Sequence, residues 1–392
     1  MEIRELGPSD DLDELLDLRM RAFGSATALE RAQWLAHASE AIAARRYLAV
    51  YDGARLAAAA RFHDMSQWWL GRSLPMAGAA SVKVAPEFRG RGVGRALMAA
   101  LLGMIAERGY PLSMLYPATM RLYRSLGWEL AGHTYEAVLP ARSLRALSRP
   151  VGPAAPDPRR ATSSDAAAVR AVHAEVHAAA RDCGPLVWDD ATTRRWLADD
   201  DVFSYVAEDG FLAYRWHKGH HEIAVERAIA GSQATTHALW TLVGSSSSIA
   251  QTIRVRVSPA EPFWLLMSER DVQLVGDDQW MLRVVDAPAA IAGRGFPAGL
   301  ELTAPIRLRD AHRAENASDW SLTVSDGKGS LERSQTAGAH PLTLGVGGFA
   351  AMYAGTPVTV LRRGGLATGG DPAADALFDA AFAAHPFCLD TF

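Results

Sequence analysis

Cysteine is almost missing from this chain of 392 residues: Cys183 and Cys388 are the only two. Two cysteines make neither a disulfide framework nor a Cys-rich metal cluster, so no metal and a reducing, cytoplasmic location are expected. Lysine is also scarce, with Lys83, Lys218 and Lys328 the only ones among 40 basic residues. Against 44 acidic residues the net charge is −4, and no basic stripe is left to engage nucleic acid. No apolar run approaches the length of a membrane span; the best candidate, Ala96 to Ala106, is amphipathic. The opening residues, MEIRELGPSDDLDELL, are charged and helix-patterned, unlike a secretory leader. Neither nucleic acid nor membrane is therefore an expected partner.

What is present is length enough for two or three domains and an ordinary globular composition, 49% apolar and 21% charged. The stretch 149–158, within RPVGPAAPDPRR, is Pro-rich and cannot sustain helix or sheet ladders, which predicts a linker. The text on either side of it repeats. Arg4 stands six residues before Asp10, and Arg159 six before Asp165, each followed by an apolar-periodic helix. Each helix leads to a strand and turn, YLAVYDG from Tyr47 and YVAEDG from Tyr205. Residues 1–148 and 159–285 thus read as tandem domains of one kind. From 286 to 392 the pattern changes to antiparallel strands (around 300–303, 320–324 and 331–333) with helices over 348–354 and 373–384.

The densest signal lies between Ser81 and Trp128. A β-rich run, Ser81 to Val84, leads into the turn Arg89-Gly90-Arg91-Gly92-Val93-Gly94 and then a helix-periodic stretch, Arg95 to Arg108. A second strand is expected to end at Ala118-Thr119, with Tyr123 beyond. Glycines let successive amides curl inward, and such a nest opening onto a helix N-terminus is an anion site. The sixth position of a dinucleotide loop would be Arg95 or Leu97 rather than Gly or Ala, and no Gly-Lys-Ser/Thr ends the loop. Both common nucleotide loops are excluded. What remains resembles the pyrophosphate loop, R/Q-x-x-G-x-G/A, of the GNAT superfamily of acyl-CoA-dependent N-acyltransferases, with Val82-Lys83-Val84 upstream and Ala118…Tyr123…Gly127-Trp128 downstream. The second copy, after Glu222 to Val225, reads ERAIAGSQATTHALW and has no such loop.

The whole chain is similar to the enhanced intracellular survival (Eis) family of mycobacterial acetyltransferases. That resemblance implies an α/β (α+β) fold class with tandem GNAT folds, the first active and the second degenerate, followed by a sterol-carrier-like α+β domain. It implies acetyl-CoA as co-substrate, amines of polycationic small molecules such as aminoglycosides as acceptors, and a homo-hexamer. The cofactor residues it selects are Val82, Lys83, Val84, Arg89, Gly90, Arg91, Gly92, Val93, Gly94, Arg95, Ala118 and Thr119. Backbone of the Val82–Val84 strand would pair with pantetheine amides, and the arginines would meet the phosphates. Tyr123 is the expected general acid, since a phenol is protonated at neutral pH; its alternative is a core aromatic. The general base implied by the family is the C-terminal carboxylate, here that of Phe392, carried by the apolar ending His385 to Phe392.

Other features point less sharply. His217, His220, His221 and Glu222 have ligand-type side chains but fall at an apparent hairpin turn. Trp34, Trp68 and Trp69 are core residues or walls of an acceptor pocket. Two rival functions are acetylation of a protein or peptide lysine, and a lipid-binding or regulatory protein that only senses acyl-CoA.

Overall fold

The computed structural model describes residues 1–147, 157–334 and 340–392. Most of the linker expected at 149–158 lies outside the described residues.

The first unit holds strands β1 (Glu2–Glu5), β2 (Tyr47–Asp52), β3 (Arg55–Trp69), β4 (Arg72–Val84), β5 (Leu112–Leu115) and β6 (Glu129–Pro140). Its helices are α1 (Leu12–Phe23), α2 (Ala28–Ala43), α3 (Val93–Glu107) and α4 (Met120–Arg124). The second unit holds β7 (Arg159–Arg160), β8 (Cys183–Val187), β9 (Phe203–Ala207), β10 (Gly210–His217), β11 (Glu222–Ala230), β12 (Thr252–Arg256) and β13 (Gln273–Val284), with α5 (Ala166–Ala180), α6 (Asp190–Leu197) and α7 (Gln233–Gly244). These strands form one continuous sheet in the order β1-β2-β3-β4-β5-β13-β6-β12-β11-β10-β9-β7, with β8 on β3. The order is informative: β13 lies between β5 and β6, so the second unit supplies a strand to the first unit's sheet.

The repeat read in the sequence has a physical counterpart. The Arg4 guanidinium bonds the Asp10 carboxylate at 2.6 Å, and Arg159 bonds Asp165 at the same distance. In each copy that carboxylate also accepts a backbone N–H three residues upstream, from Gly7 at 2.7 Å and from Thr162 at 2.8 Å. The pair fixes the turn between the first strand and first helix of both units.

The third unit is a five-stranded sheet of β14 (Leu302–Arg309), β15 (Ser318–Ser325), β16 (Lys328–Arg333), β17 (Leu342–Gly345) and β18 (Ala367–Gly369), ordered β16-β15-β14-β17-β18. Helices α8 (Ala287–Gly293), α9 (Val346–Tyr353), α10 (Val358–Arg363) and α11 (Pro372–Phe382) cover it. Its alternating strands share a core with the first unit. The Trp69 ring packs edge-on against Tyr353 and Trp280, with centroids 4.9 and 6.4 Å away. A buried ion pair, Arg283 with Asp310 at 2.7 Å, ties β13 to the segment after β14.

One sequence expectation is corrected here. The strand expected to end at Ala118-Thr119 ends at Leu115 instead, because its antiparallel partner β13 pairs only with Leu112–Leu115. Thr119, in extended conformation, is the N-cap of α4. Among the described residues no helix is long and apolar enough to cross a membrane.

Candidate active site

The site is built where two parallel strands part. β4 pairs with β5 through Met76, Ala77 and Gly78 only. Beyond Gly78, β4 runs on to Val84 while β5 ends, so the backbone edge from Ala79 to Val84 has no strand beside it. A bulge in that stretch sets Ser81 and Val82 opposite Ala60 alone, with Ser81 in the left-handed region at φ 55°. Bulges bend a strand and interrupt its ladder; this one re-aims the unpaired edge.

That edge leads into the glycine-rich turn. Gly90 (φ 74°) and Gly92 (φ 80°) are left-handed, and Gly92 is the N-cap of α3 with no side chain capping it. A helix leaves its first amides without intrahelical partners, and no acid stands in the first turn. Gly94 faces Val84, where an added Cβ would lie 3.2 Å from Cγ2. Arg89, Arg91 and Arg95 are exposed, and none has an ion-pair partner among the described residues. Arg89 Nε donates to the Val84 carbonyl at 3.3 Å and Arg91 lies over the Phe88 ring, so convergent amides, a helix dipole and guanidinium groups without carboxylate partners fit a pyrophosphate.

The Lys83 side chain takes no part in the backbone pairing expected of the Val82–Val84 strand. Successive residues of a strand face opposite sides, and while Val84 meets Gly94, the Lys83 side chain enters the other face. It is buried, donates to the Tyr47 hydroxyl at 2.5 Å and to Ser81 Oγ at 3.2 Å, and lies 5.0 Å from the Trp34 ring centroid. Burial, with nearby Arg61 and Arg19, holds its pKa well below the lysine range. Its ammonium offers nothing to a phosphate.

Tyr123, on α4, is buried, and its hydroxyl has no hydrogen-bond partner among the described residues. Burial alone raises its pKa, so the phenol stays protonated at neutral pH. Ala118 lies past the end of β5 and borders a small cavity with Tyr116, Pro117, Asp278, Thr391 and Phe392.

The last residues reach the same place. Pro386 accepts from the His133 amide at 3.2 Å, Cys388 N–H donates to the His133 carbonyl at 2.9 Å, and Phe387 N–H donates to the Cys183 carbonyl at 3.0 Å. The tail is thus threaded between β6 and β8. Glycines make the room: a Cβ on Gly132 would sit 2.7 Å from Pro386 O, and one on Gly184 (φ +103°) would sit 2.3 Å from Phe387 O. Asp390 is held by Arg227 and by Trp188 Nε1 at 3.1 Å, and its carbonyl accepts from the Tyr116 hydroxyl at 2.6 Å. The Phe392 ring lies on Gly78, edge-on to His63 and Tyr116 at 5.7 Å from each. Burial and the neighbouring Arg61 and Arg46 push the His63 pKa down to about 3, so the ring flanking Phe392 is neutral. No cation pairs with the terminal carboxylate among the described residues.

The second unit's equivalent loop is closed to anions. Ser232 caps α7 by accepting from Thr235 N–H at 3.2 Å. The Asp209 carboxylate sits at the same helix start, accepting from Thr235 Oγ1, and a Cβ on Gly231 would lie 3.2 Å from it. A fixed negative charge stands where a phosphate would go.

Residues 2–131 match the family described as acetyltransferase (GNAT) domain, residues 184–284 a second such family, and residues 287–389 the sterol carrier protein domain. The crystal structure of a GCN5-related N-acetyltransferase from Kribbella flavida covers 100% of this chain and 98% of its own, at 42% identity and TM-score 0.93. The chain belongs to the GCN5-related N-acetyltransferase family. A GCN5-related N-acetyltransferase from Anabaena variabilis shares the fold at 23% identity, TM-score 0.87, with 100% of both chains covered. The N-acetyltransferase Eis of Mycobacterium tuberculosis (strain ATCC 25177 / H37Ra) is 25% identical over 279 residues, which span 65% of each protein.

Gly78, Tyr116, His63 and Asp390 were not candidates from sequence. Gly78 sits in a run of small residues, Ala77 to Ala80, with nothing to mark it as the point where β4 and β5 part. Tyr116 and Asp390 meet only through the folded tail.

Proposed function

We propose that this protein is an acetyl-CoA-dependent N-acetyltransferase of small-molecule amines, working from one site in the first unit. The observation that carries the reading is the unpaired β4 edge, Ala79 to Val84, which runs from the Phe392 ring to the nest at the start of α3. An extended pantetheine arm beside that edge would put its thioester near Phe392 and its pyrophosphate on the nest, with Arg89, Arg91 and Arg95 at the phosphates.

Bound there, acetyl-CoA supplies the acetyl group: the amine nitrogen bonds to the thioester carbonyl carbon, the C–S bond breaks, and coenzyme A leaves as a thiolate. Alkyl amines are mostly protonated at neutral pH, and an ammonium has no lone pair for attack. The Phe392 carboxylate, with no paired cation among the described residues, binds the ammonium and takes its proton directly or through water. Tyr123, kept protonated by burial, gives its proton to the thiolate. Two protons leave nitrogen in all, one before attack and one as the tetrahedral intermediate collapses; sulfur takes one by way of Tyr123, which is reprotonated, and the net reaction releases the other to solvent. Amide N–H groups freed by the bulge at Ser81 are suited to the developing oxyanion.

A polycationic acceptor would want carboxylates along its path. Asp278 borders the cavity at Phe392, whereas the cavity beyond the tail is lined by arginines. The acceptor is therefore proposed here as a small-molecule amine. Purified protein with acetyl-CoA and a panel of amines, followed by thiol release, tests the reading. Amine-dependent thiol release with N-acetylated product supports it; acetyl-CoA binding without transfer to any amine would return the chain to the sensing alternative.

A further inference from the structure

On the far side of the tail lies a cavity of ≈ 300 Å³, bounded by β3, α5, α6, β11, β12 and residues Leu389–Thr391. Its walls include Trp68, Trp188 and Trp196. Four arginines border it (Arg170, Arg215, Arg227 and Arg256) against two carboxylates, Glu226 and Asp390. Both carboxylates are already used: Glu226 accepts from Arg215 at 2.6 Å, and Asp390 is paired with Arg227. Arg215 is further satisfied by Asp199 at 2.8 Å. Arg170 and Arg256 carry neither a hydrogen bond nor an ion pair among the described residues.

The unused buried polar atoms point the same way. Trp68 Nε1, His173 Nε2 and Arg227 Nε belong to residues that line the cavity, are themselves buried behind its surface, and have no hydrogen-bond partner among the described residues. With Arg227 only 9% exposed, its unpartnered Nε–H is a strong donor in a low-dielectric wall. His173 Nδ1 faces an Arg227 guanidinium nitrogen at 3.4 Å and so accepts, which puts the ring hydrogen on Nε2. Burial and Arg227 keep this imidazole neutral. Every one of these idle groups is a donor. A buried donor without an acceptor is costly, and a cavity lined by the unpaired Arg170 and Arg256 and by three indoles, with idle donors just behind its surface, asks for an anion on a flat apolar body.

We propose that this cavity anchors the acceptor through a negative charge: the amine acetylated by this protein carries a carboxylate on an aromatic body. The inference rests on the transferase reading and adds the acceptor's class to it. Thr391 is a wall shared by this cavity and the one at Phe392, and the proposal places the acceptor's carboxylate against the arginines with its amine reaching past Thr391 to the terminal carboxylate. An amine carrying only positive charge would meet Arg170 and Arg256 unpaired.

The test compares 4-(aminomethyl)benzoate with benzylamine, which share ring and amine and differ by the carboxylate. The expected kcat/KM ratio is at least about tenfold in favour of the carboxylate, the scale of one charge-assisted hydrogen bond. In Arg256→Gln and in Arg170→Gln that ratio should fall toward one, with acetyl-CoA binding by calorimetry serving as the check that each variant is folded. A ratio of one or less in the native protein overturns the proposal, and so does a high ratio that survives both substitutions. Calorimetry with 4-methylbenzoate, which has no amine, separates this inference from the transferase reading. Should no amine be acetylated, binding of 4-methylbenzoate that weakens about tenfold in Arg256→Gln still supports the anion site, while absence of binding overturns it.

Discussion

The ring of the last residue, Phe392, rests on Gly78, the last β4 residue paired with β5. A Cβ added to Gly78 would lie 2.7 Å from Phe392 Cε2, inside any real carbon contact. The absence of a side chain at one position is what lets the chain terminus stand at the point where the strands part. Gly78→Val should therefore expel the ring and carry the terminal carboxylate with it. Turnover should drop by about 10²-fold or more, the scale of a lost acid–base group, while acetyl-CoA still binds. Steady-state kinetics beside calorimetry checks this; unchanged kcat in Gly78→Val would remove Phe392 from the reaction.

Extending the chain past Phe392 keeps every side chain but moves the charge. A C-terminal tag, or deletion of Phe392, should lower kcat steeply, again by about 10²-fold or more. The interior anchors Phe387, Cys388 and Leu389 are buried and should keep the tail threaded, so melting temperature should change little. A tagged protein that turns over amines normally would rule out the terminal carboxylate as base.

Acetyl-CoA should bind once per chain. The first unit offers uncapped amides at α3, whereas α7 is capped by Ser232 and fronted by Asp209. Calorimetry should give a stoichiometry of one, abolished by Gly92→Val, because a β-branched residue is strained at φ 80°. A stoichiometry of two would show that Asp209 does not block the second loop.

Tyr123→Phe removes only a hydroxyl that has no protein partner among the described residues, so stability should hardly move. If the phenol protonates the leaving thiolate, kcat and kcat/KM fall together by about 10²-fold with acetyl-CoA affinity nearly unchanged. Equal rates for Tyr123→Phe and the native protein would make Tyr123 a core aromatic, the alternative its burial leaves open.

Legibility in the sequence followed how local each feature is. The nest and α3 were readable because Gly90, Gly92 and Gly94 act within a few residues, and the repeat because Arg4–Asp10 and Arg159–Asp165 each close a turn of six. A strand after α3 was readable, but its end was misplaced at Ala118-Thr119: the end at Leu115 depends on β13, more than 150 residues away in sequence. The exchange of β13 into the first sheet left no trace in composition. Lys83 shows the limit most clearly. Its neighbours Val82 and Val84 suggested a strand along the cofactor, yet only the bulge at Ser81 and the distant Tyr47 and Trp34 determine which way its ammonium points.

Lys83 also carries a prediction about pH. Burial and two nearby arginines hold its folded-state pKa well below the model-compound lysine value of 10.5, so the folded chain holds this proton less tightly than the unfolded chain. Between the lowered folded value and 10.5 the unfolded state carries the extra proton, and stability rises with pH there. One proton contributes a slope of at most about 1.4 kcal/mol per pH unit. As pH falls through the folded-state value the contribution is lost and levels off, because both states are then protonated. Lys83→Met fills a similar volume with no charge to lose, although it gives up the bond to Tyr47. Denaturant unfolding of both proteins across pH 6–10 should show a native stability that climbs relative to the variant's as pH rises. The advantage should shrink, or reverse, toward the acid end, where an unpaired ammonium would be forced into the Trp34–Tyr47 pocket. Parallel curves for the two proteins over that range would mean that Lys83 keeps its ordinary titration and that water or a conformational shift reaches it.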